Sequence, residues 1–491
     1  MRLFLALAFL FPSLLAAQDQ HNHPAPEKLG TVSFQTSCKS ETQQQFNRAV
    51  TLLHSFAYEA AEKAFHSIAE QDPQCAIAHW GIAMTHYHQL WEPPLSFAGI
   101  AAGQKEIAQA AMLQEASERE RGFIHALSLI FEDASTVPYN TRASNYESAM
   151  RSLATANPRD VEVQVFYALA LVSNASPLDK KHRKQKQAAD LLEPLWREFP
   201  DHPGIPHYLI HACDSQELAS RGLAAARAYA SIAPSAPHAL HMPSHIFTRL
   251  GLWGDSIASN VAAQSAAKQQ GDTGEELHAM DYLVYAYLQS GRDQEAAQVI
   301  QQLKAMQDLD LGDFKSGYAA TAMPIRYIVE RQQWNDAEKT VEPLDSILPP
   351  VQAIAVWARG LGFAHNGHVL EAQKESETLR HTEEQLRASG DDYWANQVNI
   401  MRREVMAWSA QAQKNPDHAA TLLRSAADDE DRIEKLPMTP GPIIPAREQL
   451  GELLVEQGDF ASAYRAFETA LVNAPGRRGA MLGATQVAHS R

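Results

Sequence analysis

At 491 residues, with a formal charge of −16 and a pI near 5.7, the chain has room for several ordinary domains or for one long repeat array. Its one dense basic run, "DKKHRKQK" from Asp179 to Lys186, reads as a solvated loop. It is not the clustered footprint that phosphate binding needs, which excludes nucleic acid as an expected partner.

The first residues, "MRLFLALAFLFPSLLAAQDQ", combine one arginine, an apolar run and a small pair at Ala16-Ala17. That pattern predicts a signal peptide over residues 1–17 and an exported protein, periplasmic or secreted. Residues 18–37, with "HNHP" at His21 to Pro24, read as a mobile N-terminal tail. No later stretch holds about twenty consecutive apolar residues, so no transmembrane segment is expected in the mature chain.

Residues 38–491 read as one array. Its period is clearest in "REQLGELLVEQGDFASAYRAFETALVNAPGR", from Arg447. With Gly451 at position 8, Gly458 falls at 15, Phe460 at 17, Ala463 at 20, Phe467 at 24, Ala470 at 27 and Pro475 at 32. This is the tetratricopeptide pattern. The frame recurs at Ala61, Phe65 and Pro73, and again at Gly291/Ala296, Trp334/Ala337 and Gly367/Ala372. With β-branched alternation rare, the expected fold is all-α, a tetratricopeptide-type superhelix of about nine or ten stacked antiparallel helix pairs.

In chain order, Cys38 lies just before the first inner helix and Cys75 just after the first outer one. Antiparallel packing brings those ends together, so a disulfide between them is expected to close the first repeat. Cys213 is then left as a buried thiol or a metal ligand. Tyr87 and His88, in "HWGIAMTHYHQLW", take positions 12 and 13, which face the concave groove.

"HYLIHACD" puts His207, His211 and Asp214 at positions 5, 9 and 12 of one inner helix. "HALHMPSHIF" puts His238, His241 and His245 at 2, 5 and 9 of the next, within an arc of about 60°. The repeat after that carries His278 at 2, Asp281 at 5 and Tyr285 at 9, and the following one Arg326 at 9. Same-numbered side chains of neighbouring inner helices, about 8–10 Å apart, are expected to converge in the groove. His207, His211, Asp214, His238, His241 and His245 are thus candidate metal ligands. His278, Asp281, Tyr285, Arg326, Tyr87 and His88 are candidate groove residues. Pro243 falls inside an inner helix, where proline costs on the order of 3 kcal/mol. It marks either a tolerated kink near a helix start or a functional break.

Three readings of the histidines stay open: a metal site, a hydrogen-bonded imidazole network, and a metal-free ligand site. The HxxxH spacing is a ligand spacing that lacks the glutamate of HExxH. Nitrogen and carboxylate donors suit a divalent transition metal, Zn, Cu, Fe or Mn. No GxSxG, phosphate-cradling glycine loop or Ser/His/Asp order is present, so no catalytic residue is assigned.

The segments "HPGIPHYLIHACD" from His202, "HALHMPSHIFTRLGLW" from His238, "MPIRYIVER" from Met323, "MTPGPIIPARE" from Met438 and "CAIAHWGIAM" from Cys75 together resemble a family of exported bacterial tetratricopeptide-repeat proteins. The resemblance covers most of the mature chain and implies the superhelix and export. It carries no activity and no catalytic residue. Cys213 stands where relatives are expected to have an aromatic or small residue, which weakens a ligand role for it. The function expected is a scaffold whose groove binds a peptide, protein or small molecule, with a histidine-rich metal-competent site. The alternatives are a metal-dependent hydrolase or oxidoreductase on the same histidines, and a structural envelope assembly factor.

Overall fold

The computed structural model describes residues 27–90, 95–340 and 348–488. The predicted signal peptide, "HNHP" and the Pro93-Pro94 connection lie outside the described residues.

Every regular element among the described residues is helical. Inner and outer helices alternate, beginning with Gln43–His54 against Tyr58–Gln71 and ending with Ala446–Glu456 against Phe460–Asn473. Arg478–Ala488 follows as a terminal cover. Among the described residues the succession makes eleven pairs, against the nine or ten expected. The molecule is an all-α, tetratricopeptide-type superhelix.

Small residues let the two helices of a pair close up. A Cβ on Gly451 would sit 2.5 Å from the Phe467 ring, and one on Gly81 2.4 Å from Phe65, so each approach requires glycine. The apolar core runs almost without a break along the array, from Leu29 to Phe247 and on to Val487. Cys38 and Cys75 are joined, with Cα atoms 4.8 Å apart, tying the chain's entry to the start of the helix Ala76–Thr85. Cys213 is a buried free thiol, pushed up to about 12 by burial.

Two expectations are corrected. Residues 27–37 are not a mobile tail. Phe34 is fully buried among Phe46, Trp80 and Phe123, and Thr31 N–H donates to the Asp201 carbonyl at 2.9 Å.

The concave groove is not open either, because residues 431–445 run back through it. Glu434 N–H donates to the Pro177 carbonyl at 2.8 Å, and Lys435 Nζ donates to Asp214 Oδ2 at 2.8 Å. The Tyr282 hydroxyl reaches the carbonyls of Pro437 and Thr439 at 3.2 and 3.1 Å, and Arg326 Nη1 that of Pro442 at 3.2 Å. The prolines of "MTPGPIIP" have no N–H to donate, so this segment of turns and bends offers carbonyls to the inner helices.

Candidate functional site

The histidines lie on three consecutive inner helices at the middle of this covered groove. His207 and His211 are on Gly204–Cys213. The next inner helix comes in two pieces, Pro237–His241 and Pro243–Arg249, and His278 is on Thr273–Gln289. Pro243 opens the second piece, where its missing N–H is no loss. The Leu240 carbonyl at the break takes a hydrogen bond from Ser259 Oγ at 2.5 Å. Of the two readings of Pro243, the kink at a helix start describes it.

The rings converge diagonally, not by equal position number. Positions 5 and 9 of one helix meet position 2 of the next. His207, His211 and His238 form one group, and His241, His245 and His278 a second. Within each group the candidate ligand nitrogens all lie within 4.8 Å of one another. Consecutive inner helices are offset along their axes, which brings position 2 of one to positions 5 and 9 of the one before, while the position-9 rings of His211 and His245 also lie 5.8 Å apart. Because the offset repeats, the two triads are copies in register.

In the first triad, His207 Nε2 is 3.1 Å from His211 Nε2 and 3.2 Å from His238 Nε2. In the second, His241 Nε2 is 3.0 Å from His245 Nε2. Four of the opposite ring nitrogens are held from behind, while His211 Nδ1 is buried without a hydrogen-bond partner. His207 Nδ1 donates to the His54 carbonyl at 2.6 Å, and His238 Nδ1 meets Glu275 Oε2 at 3.2 Å. His241 Nδ1 donates to Asn260 Oδ1 at 2.6 Å, and His245 Nδ1 to Asp214 Oδ2 at 2.9 Å. Asn260 Nδ2 donates to the Ser256 carbonyl at 2.8 Å, which fixes the amide so that its oxygen faces His241.

An aromatic ring closes each triad. Phe56 lies 4.5, 5.8 and 5.3 Å from the rings of His207, His211 and His238. Tyr282 lies 4.7, 5.1 and 5.4 Å from those of His241, His245 and His278. Phe56 holds φ at +53°, a left-handed conformation that a bulky residue rarely adopts. The turn it makes sits next to the His54 carbonyl that takes the His207 proton.

All six imidazoles are buried. Burial first, and neighbouring imidazoles second, hold His207, His211, His241 and His278 well below the ordinary histidine value. Burial brings His245 to about 4 against the pull of Asp214. Burial works to raise the carboxyls of Asp214 and Glu275, but Lys435 with Arg249, and Lys315 with His238, hold them well below the usual range.

Asp214 belongs to neither triad, which corrects its placing among the candidate ligands. Its oxygens are taken by His245, Arg249 and Lys435. His278, expected in the groove, instead completes the second triad. Asp281 and Arg326 face each other at 3.6 Å, fully buried, and Arg326 also lies 4.9 Å over the Tyr285 ring. Neither Asp281, Tyr285 nor Arg326 joins the histidines. Tyr87 is buried against Tyr146, its phenol pushed well up by burial. His88 is half-buried and stacks on Tyr58 at 4.5 Å, itself stacked on Phe56 at 5.3 Å.

No protein-family model and no curated protein matches this sequence. Solved structures that align with it are tetratricopeptide proteins at low similarity. The P58(IPK) TPR domain has 12% identity over 92% of this chain and 98% of that one, with a TM-score of 0.22. A signal-transduction ATPase with a tetratricopeptide repeat sensor, from Pyrococcus horikoshii, has 11% identity over 87% and 62%, TM-score 0.34. The human IFIT1 dimer with m7Gppp-AAAA has 8% over 84% and 90%, TM-score 0.36. None of these likenesses bears on the site.

Sequence reasoning missed Glu275, Asn260, Phe56, Tyr282 and Lys435. Asn260 had a local signal, a polar side chain on the inward face of an outer helix. The other four gain their role only from tertiary closure.

Proposed function

We propose that this chain is an exported metalloprotein in which the superhelix holds a buried, histidine-only centre for a transition metal. One observation carries the reading. The Nε2 atoms of His241 and His245 face each other at 3.0 Å while both Nδ1 protons are committed to acceptors, the Asn260 amide oxygen and the Asp214 carboxylate. Two neutral rings so held point lone pair at lone pair, an arrangement that costs energy until a cation fills it. His207 and His238 repeat the arrangement at 3.2 Å, with the His54 carbonyl and Glu275 as acceptors. An extra proton bridges only two nitrogens, whereas each group gathers three. Partners that fix the second ring nitrogen are the usual support of a histidine ligand.

The site lies in the core of the array and not on an open groove. With residues 431–445 lying in the concave face, an extended peptide has no vacant track there. What remains is a cavity of about 170 Å³ bordered by Tyr285, Tyr318, Trp357 and Trp394, with Arg249 and Lys435 at its edge. A small ligand suits it better than a protein.

Elemental analysis of the purified protein tests the metal reading. Wild type is expected to hold stoichiometric metal, and H241A/H245A to lose metal at unchanged helicity by circular dichroism. Wild-type protein that takes up none of zinc, copper, iron or manganese contradicts it.

A further inference from the structure

The repeat that builds the superhelix also duplicates the ligand set. Positions 5 and 9 of one inner helix and position 2 of the next give three imidazoles, and the chain does this twice in succession. The second inner helix serves both groups, giving His238 to the first and His241 and His245 to the second. The groups touch: ring centroids of His211 and His245 are 5.8 Å apart, and those of His238 and His241 6.0 Å. A single ion has no reason to prefer one copy, and six converging nitrogens exceed what one trigonal or tetrahedral ion uses.

The surrounding charge narrows the ion. Neither triad contains a carboxylate. The two carboxylates behind them already have cationic partners: Asp214 has Arg249 and Lys435, both at 2.8 Å, and Glu275 has Lys315 at 2.9 Å. Neither of these two carboxylates is left over to balance a divalent ion in the buried space. At equal separation two divalent ions repel each other about four times as strongly as two monovalent ones. Zinc would also ask for a fourth ligand at each triad, a water where the protein supplies three. A d¹⁰ monovalent ion that accepts three neutral nitrogens meets both constraints, and among the metals that imidazole suits, that ion is copper(I).

We infer that the centre is dinuclear and takes two cuprous ions, one in the triad His207, His211 and His238 and one in the triad His241, His245 and His278. This rests on the metal-centre reading above. Phe56 and Tyr282, one against each triad, shield the two ions from water.

The test is an anaerobic titration of metal-stripped protein with copper(I) against a chromophoric cuprous chelator, followed by a challenge with excess zinc. Wild type is expected to hold two copper ions per chain and to keep them under the zinc challenge. H207A/H211A and H241A/H245A are each expected to hold one, and the fourfold variant none. One copper per wild-type chain, or displacement of copper by zinc, overturns the dinuclear cuprous assignment and leaves a metal centre standing. Failure of wild type to bind copper removes this assignment, and failure to take up zinc, iron and manganese as well contradicts the reading beneath it. The wild-type stoichiometry decides the question without any variant, so poor folding of a substituted chain does not blunt it.

Discussion

The arginine centre near the C-terminus and the histidine centre in the middle of the array are equally buried, with Arg477 and His241 both fully inaccessible. Arg477 donates to Glu330 at 2.7 and 2.9 Å and to Glu448 at 2.9 and 3.0 Å, so its guanidinium is forked onto two carboxylates. Every charge there has a protein partner. Around His241 the outer nitrogens are equally well held, yet the inner ones meet other acceptors. One centre is complete as protein, and the other, on the metal reading proposed above, is completed by a cation. A buried polar network that closes on itself fixes the fold; one whose acceptors face each other is a candidate binding site.

The largest effect is expected at Arg477. Arg477→Met leaves Glu330 and Glu448 buried without their cation and is expected to cost about 3–5 kcal/mol in urea unfolding. The loss should be the same with and without bound metal. At the histidine centre the supporting contacts give the opposite signature. Asn260→Ala removes the acceptor behind His241 and is expected to weaken metal binding roughly 10–100-fold, measured by chelator competition, while helicity holds.

A smaller effect is expected for Tyr282→Phe, which removes the hydroxyl that ties Pro437 and Thr439 to the site. A loss of about 1 kcal/mol should show as faster amide exchange across residues 431–445. A pH-dependent effect concerns Glu452, beside the arginine centre. Burial and the nearby Glu448 push its carboxyl up to about 8 from an ordinary value of 4.5. The folded chain therefore keeps a proton that the unfolded chain releases. This contribution is most favourable below about 4.5 and is lost as pH climbs to about 8. Glu452→Gln should flatten the fall of Tm between pH 5 and 8, and an unchanged slope would contradict the assignment.

How much was legible before folding follows the same division. The helix-pair architecture and the Cys38–Cys75 bridge could be read because they depend on a local period. So could the pairing of His207 with His211 and of His241 with His245, set by one helical turn. The groups as they stand could not be read, because the axial stagger of neighbouring helices is a tertiary quantity. It moves His278 into the second triad and leaves Asp281 outside. Asp214 has the right helical phase for a ligand, but Lys435, 221 residues further along, claims one of its oxygens. The filled groove was hidden for the same reason. "MTPGPIIP" is visibly a connection, yet only the curl of the superhelix brings it back over Tyr282 and Arg326.

Anomalous X-ray diffraction at the copper edge, from crystals of protein loaded with copper(I), tests the central claim most directly. The account predicts two strong peaks, one between His207, His211 and His238 and the other between His241, His245 and His278. Peaks confined to surface histidines, or none near these rings, would contradict it.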